Sequence, residues 1–584
     1  MCGIAGQFGA AGNDVDESLG RMLSSLGHRG PNARGVASWN GGLARLAHAR
    51  LSIIDLSDAG RQPMTDPSGR WSISYNGEIY NYLELRKELE SVWTFRTATD
   101  TEVLLAAYAH WGRACLDRLI GMFAFAIWDS VERELFAARD RFGVKPLFYH
   151  QPDAGSLWIA SEIKALHQAG LAKTPNPRVW ASYLAKGMYD DSESTFWNGA
   201  RQVPPGGWLH WSAEPSTSLT IGSWYDPADR ALAAGVDSRS DDEVGDELLS
   251  LLEESVRLRF RADVPVGVCL SGGLDSSLLW GLTRSSHQAD LDKILAFTFA
   301  CGDPNYDETP WVQAMLADCR GNGRVCRLRW EEIPDLAARV QAVQDEPFGG
   351  FPTLGMAKVH QRAAEEGVIV LLDGNGLDEG WAGYDYYARA DRVEASVGPV
   401  QGSKSPTCRP DCLKPDFLRQ VQLTPQRKPW GDPLRDLQYR DLRYAKIPRA
   451  MRFADRVSML YSRELREPFL DHRIIELGLR QPASRKIRDG QGKWLPRRIA
   501  ARLLPGEVRL APKRPLQTPQ REWLRDPLRA WSTELIEAGL RGWGKDWLNA
   551  PRVREAHQEF LQGGSDNSFS VWQWMSLGLI GSMS

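Results

Sequence analysis

The chain of 584 residues has no apolar run long enough to cross a bilayer. Its longest run, Leu119–Trp128, reaches about half the ~20 residues that a membrane helix needs, and it predicts a buried strand instead. No basic stretch followed by an apolar run opens the chain, so a signal peptide is not expected. The eight cysteines lack paired spacings, and Cys408 and Cys412 have no second pair or nearby histidine to complete a metal site. We therefore predict a reduced, cytoplasmic protein.

An excess of charge of either sign is also missing. The 71 Lys and Arg nearly balance the 74 Asp and Glu, and the net charge is −3. This balance gives no electrostatic reason to bind nucleic acid or an anionic membrane, so small molecules are the expected partners. Repeats and low-complexity tracts are absent as well, and the length predicts more than one domain.

Two different patterns divide the chain. Residues 1–210 carry short strand-like runs with two helical patterns between them, which predicts an α+β domain with layered sheets. Residues 211–240 are turn-rich and are predicted to be a linker. In 241–584, an amphipathic helical pattern precedes the apolar runs VPVGVCL, AFTF and VIVLL, which alternate with helical stretches. That alternation predicts a parallel sheet with helices on both faces, and 397–433 reads as an excursion from it.

The chain begins MCGIAG, with a cysteine directly after the initiator methionine. Removal of Met1 would leave the thiol and the free α-amine of the chain on one residue, Cys2. The amine has a pKa near ~8 and the thiol near ~8.5, so the amine can take the thiol proton at small cost. The pattern therefore indicates a nucleophile that carries its own base.

The strongest motif lies in the second half, where the apolar strand VPVGVCL runs into SGGLDSS and then a helix. Glycines let the backbone approach a ligand, and N–H groups at a helix start face an anion. A Walker A loop is excluded, because no lysine closes the motif. A second apolar strand ends in DGNGLDE, which places carboxylates in the crevice at the carboxyl end of the sheet. Asp275 and Asp378 are then candidate ligands for Mg²⁺.

SGGLDSS resembles the pyrophosphate loop of ATP pyrophosphatases, and with MCGIAG in front the chain resembles the glutamine-hydrolysing asparagine synthetases over nearly its whole length. The resemblance implies an N-terminal-nucleophile hydrolase sandwich (αββα) followed by an α/β ATP-pyrophosphatase domain. It implies that the first domain releases ammonia from glutamine, and that ammonia crosses a tunnel to an acyl-adenylate made from ATP and a carboxylic acid. ATP and Mg²⁺ are the implied cofactors, and the resemblance alone suggests a homodimer.

Site residues follow from the same resemblance. In the first domain, Cys2 matches the nucleophile, Asn76 and Gly77 match the oxyanion hole, and the glutamine-binding positions are Arg50, Asn76, Glu78 and Asp100. In the second domain, Asp275 and Asp378 match metal ligands, and Lys493 matches a catalytic lysine. The positions implied for ATP and pyrophosphate are Leu270, Ser271, Gly272, Gly273, Asp275, Ser276, Gly374 and Lys493.

Two departures leave the acceptor acid open. Asn375 stands where a glutamate acts in family members, and an amide can hydrogen-bond but cannot accept a proton as a carboxylate does. The loop Asp345–Thr353 also differs from the family's substrate-side loop. Aspartate, giving asparagine, is the expected acceptor, and a sugar acid or natural-product acid is the alternative. A β-lactam-forming cyclase is disfavoured because it needs no intact glutamine site, and a non-enzymatic scaffold because the catalytic positions are present.

Overall fold

The computed structural model describes residues 1–9, 13–213, 219–306, 308–317, 322–392, 407–511 and 518–581. The first half of this part contributes twelve strands: β1 (Gly3–Phe8), β2 (Ala33–Trp39), β3 (Ala44–Arg50), β4 (Met64–Thr65), β5 (Trp71–Ile79), β6 (Gly121–Asp129), β7 (Glu134–Arg139), β8 (Phe148–His150), β9 (Leu157–Ala160), β10 (Arg201–Gln202), β11 (Gly207–Ser212) and β12 (Leu219–Ser223). They form two antiparallel sheets with the orders β10-β8-β9-β1-β3-β2 and β12-β11-β7-β6-β5-β4.

The two sheets pack face to face around a buried apolar core. This core contains Ile4 and Leu46 from the first sheet and Ala126, Trp128 and Leu209 from the second. The helices of this half are α1 (Asn13–Ser25), α2 (Tyr82–Leu89), α3 (Asp100–Trp111), α4 (Cys115–Arg118), α5 (Ile163–Ala169) and α6 (Pro177–Lys186). Apolar side chains of α1, α5 and α6 cover the outer face of the first sheet, and those of α2 and α3 cover the second. The layers are therefore αββα, which confirms the predicted sandwich.

Burial on both faces explains why the central strands read as continuous apolar runs. In β6, every residue between the two terminal ones is buried, because one face meets the core and the other meets the helix layer. The prediction of a buried strand within Leu119–Trp128 is confirmed. No helix in the described ranges is long and apolar enough to cross a membrane.

The second half contributes a five-stranded sheet built from β13 (Val266–Cys269), β14 (Leu295–Ala300), β15 (Asn322–Arg327), β16 (Val370–Leu372) and β17 (Glu464–Arg466). Its order is β15-β14-β13-β16-β17, and every neighbouring pair is parallel. The order reverses direction between β13 and β16, which creates the crevice where such sheets bind ligands. A short hairpin, β18 (Ile487–Arg488) and β19 (Gln491–Gly492), lies outside this sheet.

Helices cover both faces of the parallel sheet. The helix layer on one face contains Leu248 and Leu278, and the helix layer on the other face contains Val359 and Ala363. The α/β prediction is therefore confirmed. The helices are α7 (Pro227–Ala234), α8 (Asp241–Arg259), α9 (Leu274–Ser286), α10 (Thr309–Ala317), α11 (Ile333–Gln344), α12 (Phe351–Glu365), α13 (Leu377–Gly380), α14 (Pro415–Leu418), α15 (Pro433–Arg440), α16 (Ile447–Met459), α17 (His472–Arg480), α18 (Ala483–Lys486), α19 (Trp494–Ala500), α20 (Gly506–Arg509), α21 (Gln520–Arg525), α22 (Arg529–Arg541), α23 (Gly544–Trp547), α24 (Ala550–Leu561) and α25 (Ser568–Gly581).

The segment expected to be a linker contains regular structure. Strand β12 pairs with β11 over five residues and extends the second sheet of the sandwich. Helix α7 follows, and Ala228 and Ala231 on it are buried. The turn-rich composition gave no indication of either element. Strand β12 is short, and its pairing with β11 stabilises it. The domain bounds 1–210, 211–240 and 241–584 stay a prediction, and residues 393–406 of the predicted excursion lie outside the described residues.

Strand β17 is an edge strand of the parallel sheet and borders the sandwich domain. The Lys145 ammonium donates to the Leu465 carbonyl at 3.5 Å, and the Ser462 hydroxyl donates to the His28 carbonyl at 2.6 Å. The parallel sheet and the sandwich are thus joined along β17 by buried polar contacts.

Candidate active sites

Five of the sequence-predicted residues lie around one cavity in the sandwich domain. Cys2, Arg50, Gly77, Glu78 and Asp100 line it. They come from the start of the chain, the end of β3, the last residues of β5 and the first residue of α3. The antiparallel pairing of β1 with β3 brings the first two together.

Cys2 is almost fully buried at the base of this cavity. Its backbone N–H donates to Asn76 Oδ1 at 2.9 Å, and its Sγ lies 3.9 Å from the Leu51 carbonyl oxygen. Burial raises the pKa of the Cys2 thiol. The Met1 α-amine, also buried, lies 3.5 Å from Glu464 Oε2, and burial lowers its pKa.

Asn76 and Gly77 hold adjacent positions in β5. With Asn76 Oδ1 engaged by Cys2, the Asn76 Nδ2 donor has no hydrogen-bond partner within the described ranges, although it is buried. A buried unpaired donor costs free energy unless something else accepts from it, and a developing oxyanion would do so. A Cβ atom on Gly77 would lie 2.1 Å from the Met122 carbonyl oxygen, so only glycine fits against β6.

The cavity contains groups of opposite charge. Asp100 Oδ2 accepts from the Tyr75 hydroxyl at 2.8 Å and the Ile79 N–H at 3.0 Å. Burial raises the pKa of Asp100 to about 6, and burial together with the Asp100 charge raises the pKa of Glu78 well above its ordinary value. Arg50 donates to the carbonyls of Ser57 and Asp55 at 2.7 and 2.5 Å. The Asp100 and Glu78 carboxyls on one side and the Arg50 guanidinium on the other suit a ligand with both an ammonium and a carboxylate group.

The SGGLDSS motif connects β13 to α9, as its sequence predicted. The Ser276 hydroxyl accepts from the Ser271 N–H at 3.1 Å and lies 3.2 Å from the Gly273 carbonyl oxygen, which closes the loop on itself. Gly272 has a φ of 75°, in the left-handed region that favours glycine. A Cβ atom on Gly374 would lie 3.2 Å from the Ser276 nitrogen, so glycine lets the turn after β16 lie against this loop.

Lys493 joins the two candidate metal ligands. Its Nζ lies 2.5 Å from Asp275 Oδ1 and 2.5 Å from Asp378 Oδ1. Lys493 precedes α19 with a left-handed φ of 56°, and its side chain is almost fully buried. A Cβ atom on Gly383 would lie 2.0 Å from Lys493 Cε, so a glycine makes room for the lysine. Three chemistry-bearing side chains from α9, α13 and the start of α19 thus meet at the crevice.

The two carboxylates fit a divalent cation that completes its shell from outside the protein. Asp275 and Asp378 are close enough to share one ammonium group, so a cation could bridge them. In the described residues, no group of three or more His, Cys, Asp or Glu could hold a metal ion alone. Mg²⁺ retains waters and phosphate oxygens and needs only one or two protein carboxylates.

Asn375 and the Asp345–Thr353 loop, which depart from the family pattern, both form hydrogen bonds with other residues of the chain. Asn375 Nδ2 donates to Asp373 Oδ2 at 2.8 Å, so the amide supports a neighbouring carboxylate. In the Asp345–Thr353 loop, Glu346 Oε1 accepts from the Phe196 N–H at 2.9 Å. Part of this loop therefore packs against the sandwich domain.

Several buried titratable residues near the crevice escaped sequence reasoning. Burial lowers the pKa of Lys446 to about 7 and raises that of Glu467 to about 8. Glu464 and Arg466 form an ion pair at 2.7 Å, and Arg466 lies 3.6 Å from Glu78 of the other domain. Glu464, Arg466 and Glu467 lie in the segment DRVSMLYSRELREPFLDH, whose sequence contains no signal for which of its charges are buried.

Comparisons with known proteins match both halves of the chain. The family profile described as a glutamine amidotransferase domain matches residues 1–224, and the one described as asparagine synthase matches residues 247–582. A putative glutamine-hydrolysing asparagine synthetase of Mycobacterium tuberculosis is 30% identical, over 98% of this chain and 95% of its own. Asparagine synthetase 1 of Bacillus subtilis is 27% identical, over 98% and 95%. Amidase chry2 of Gibberella zeae is 30% identical, over 67% of this chain and 60% of its own.

The two family profiles, one over the sandwich that contains Cys2 and one over the parallel sheet that contains SGGLDSS, define a glutamine-dependent amidotransferase. The chain belongs to the glutamine-hydrolysing asparagine synthetase family. It is therefore an enzyme of the carbon–nitrogen ligase class with glutamine as amido donor, and ATP use follows from the family.

Proposed function

We propose that this enzyme forms an amide from a carboxylic acid, with aspartate as the acceptor and asparagine, AMP and pyrophosphate as products. The observation that carries the proposal is the meeting of Asp275, Asp378 and Lys493 at the crevice, in the same chain as the cavity around Cys2.

The first half-reaction uses the cavity in the sandwich domain. After Met1 is removed, the Cys2 nitrogen becomes the α-amine and takes the thiol proton. The thiolate attacks the glutamine side-chain amide, and the Asn76 Nδ2 donor stabilises the oxyanion. Arg50 binds the glutamine α-carboxylate, while Glu78 and Asp100 bind its α-ammonium. Collapse of the tetrahedral intermediate breaks the C–N bond, and ammonia leaves with the proton that the α-amine took from the thiol. Water then hydrolyses the remaining thioester to glutamate and the free thiol.

The second half-reaction uses the crevice of the parallel sheet. The loop Ser271–Ser276 binds the phosphates of ATP through its backbone N–H groups and hydroxyls. Asp275 and Asp378 would hold Mg²⁺, which supplies charge neutralisation for the departing pyrophosphate. The Lys493 ammonium can shift from these carboxylates to the negative charge of the reacting phosphate. The acceptor carboxylate attacks the α-phosphorus, and ammonia then displaces AMP from the acyl-adenylate.

A different acceptor is the second candidate. Asn375 supports it, because an amide replaces a titratable side chain beside the crevice. The similarity of this chain to a fungal relative named as an amidase also favours a different acceptor. A sugar acid or natural-product acid would use the same ammonia and the same adenylation chemistry.

Glutamine- and ATP-dependent pyrophosphate release, with aspartate as the only acceptor, tests the proposal. Release of pyrophosphate with asparagine and AMP in equal amounts is the expected result. Glutamate formation without aspartate-dependent pyrophosphate would contradict aspartate as acceptor, and other carboxylic acids would then be screened in the same assay. A homodimer and a cytoplasmic location stay predictions, checked by light scattering and by fractionation of cells.

A further inference from the structure

Glu467 lies beside the crevice but has no part in the mechanism above. It directly follows β17. In the parallel pairing of β16 with β17, Leu372 lies opposite Arg466, and the next residue, Asp373, donates its N–H to the Arg466 carbonyl at 2.9 Å. Asp373 and Glu467 are therefore neighbours at the carboxyl ends of two parallel strands. This is the edge of the sheet where Asp275 and Asp378 also lie.

The Glu467 carboxyl group is buried and unpaired. Only 4% of the residue is exposed, and within the described ranges its side chain makes no hydrogen bond and no ion pair within 4.0 Å. Burial raises its pKa to about 8, with the charges of Asp373 and Asp140 acting in the same direction and those of Lys145 and Arg259 opposing them. A carboxyl group that no donor or cation holds can take up and release a proton without breaking a contact.

The other carboxylates at this edge are already engaged. Asp373 accepts from the Gly374 N–H at 2.7 Å and from Asn375 at 2.8 Å. Glu379 accepts from the Tyr384 hydroxyl at 2.7 Å. Asp275 and Asp378 bind Lys493, and the Asn375 amide cannot accept a proton. Among these carboxyl groups in the described residues, Glu467 is the one that no hydrogen bond or ion pair already holds.

Strand β17 also connects this position with the glutaminase cavity. Glu464, at its first residue, lies 3.5 Å from the Met1 nitrogen, and the Lys145 ammonium contacts its middle residue, Leu465. Three residues of extended chain span only about 10 Å. The Met1 nitrogen beside the cavity and Glu467 beside the crevice thus lie at opposite ends of one short strand.

We propose that Glu467 is the proton acceptor for the attacking ammonia, an inference that rests on the proposed function. The ammonia nitrogen forms a bond to the acyl carbon, and the bond from that carbon to the AMP oxygen breaks with its electron pair leaving on AMP. The positively charged nitrogen loses one proton to the Glu467 carboxylate, which leaves the neutral amide. The carboxylic acid then returns the proton to water.

Glu467→Gln tests this role, because it keeps the size of the side chain and removes the basic oxygen. With glutamine as the nitrogen donor, we expect amide formation to fall about 10²-fold or more, the usual scale of general base catalysis. Glutamate formation should be unchanged. The rate of amide formation by the wild type should rise as the pH increases through about 8, because the base must be ionised. The ratio of the variant's rate to the wild-type rate should fall over the same pH range.

A matched control is Glu476→Gln on α17. Its carboxyl is also largely buried with a raised pKa, but it accepts a hydrogen bond from the Tyr225 hydroxyl at 2.9 Å. This control should keep the wild-type rate and pH profile. In infrared difference spectra of wild type against Glu467→Gln, a protonated carboxyl band should be present at pH 7, fall to about half near pH 8 and be lost at higher pH.

The outcomes separate the two proposals. Equal amide formation by wild type and Glu467→Gln, or a missing carboxyl band, would overturn the role of Glu467 alone. Wild-type enzyme that makes glutamate but releases no pyrophosphate with any acid would instead overturn the proposed function, and the role of Glu467 with it.

Discussion

Arg29 and Asp455, 426 residues apart in sequence, form a buried two-point ion pair between the sandwich and the second domain, at 2.8 and 3.1 Å. The same guanidinium donates to the Cys2 carbonyl at 2.9 Å and to Glu162 at 2.7 Å. One side chain therefore joins the backbone of the proposed nucleophile to the helix that precedes β17. The relative position of the two sites depends on this contact.

Asp455→Asn should destabilise the protein, because it leaves the buried Arg29 charge with one carboxylate fewer. Removing one partner of a buried pair costs on the order of 3 kcal/mol, measured by denaturant unfolding. The Arg29 charge lowers the pKa of Asp455 below its ordinary value, so the pair stabilises the fold above about pH 4 and is lost as pH falls through the folded-state pKa. The variant should lack this acid-dependent component.

Asp58→Asn is the control for that comparison. Asp58 pairs with Arg61 on the surface, where both side chains are mostly exposed, and its loss should cost less than about 1 kcal/mol. Equal losses of stability in the two variants would show that the buried pair does not hold the domains together.

Cys2→Ala should abolish glutamine-dependent amide formation and leave ammonia-dependent formation intact. The thiol attacks glutamine only, and added ammonia bypasses that step. Cys115→Ala is a control, since Cys115 is a buried cysteine packed in the core next to α3. Product is measured with each nitrogen donor in turn. If Cys2→Ala lost both activities equally, the two-site mechanism would be wrong.

Glutamine binding should weaken as pH falls through about 6. The pKa of Asp100 is raised to about 6, so below that pH the carboxyl becomes neutral and loses its attraction for the α-ammonium. The KM for glutamine should therefore rise on the acid side, and Asp100→Asn should have a high KM that changes little with pH. Steady-state glutaminase kinetics measure both. On the acid side the two KM values should converge, whereas a KM for Asp100→Asn as low as that of wild type above pH 7 would rule out this assignment.

Asp275→Asn should eliminate pyrophosphate release and leave glutaminase activity unchanged. Asp275 contacts Lys493 at the crevice and does not line the Cys2 cavity. Asp290→Asn, on an exposed ion pair with Lys293, should keep both activities. Pyrophosphate and glutamate are measured in the same reaction. Unchanged pyrophosphate release by Asp275→Asn would mean that the loop is misassigned.

Local patterns accounted for much of the fold. The continuous apolar run predicted β6, the alternation of strands and helices predicted the parallel sheet, and SGGLDSS does connect a strand to a helix. These features depend on periodicity and on glycine's conformational freedom, both of which are properties of short segments. By contrast, β12 escaped recognition because a five-residue strand is defined by its partner.

The sequence by itself determined the two motifs, the class of chemistry and most of the residues that surround the Cys2 cavity. Only the tertiary structure decided that Lys493 lies between Asp275 and Asp378, that Arg29 binds Asp455, and that Glu467 is buried without a partner. The physical reason is that burial and charge pairing depend on residues hundreds of positions apart. A carboxyl group's pKa is set by those neighbours and not by the letters beside it in the chain.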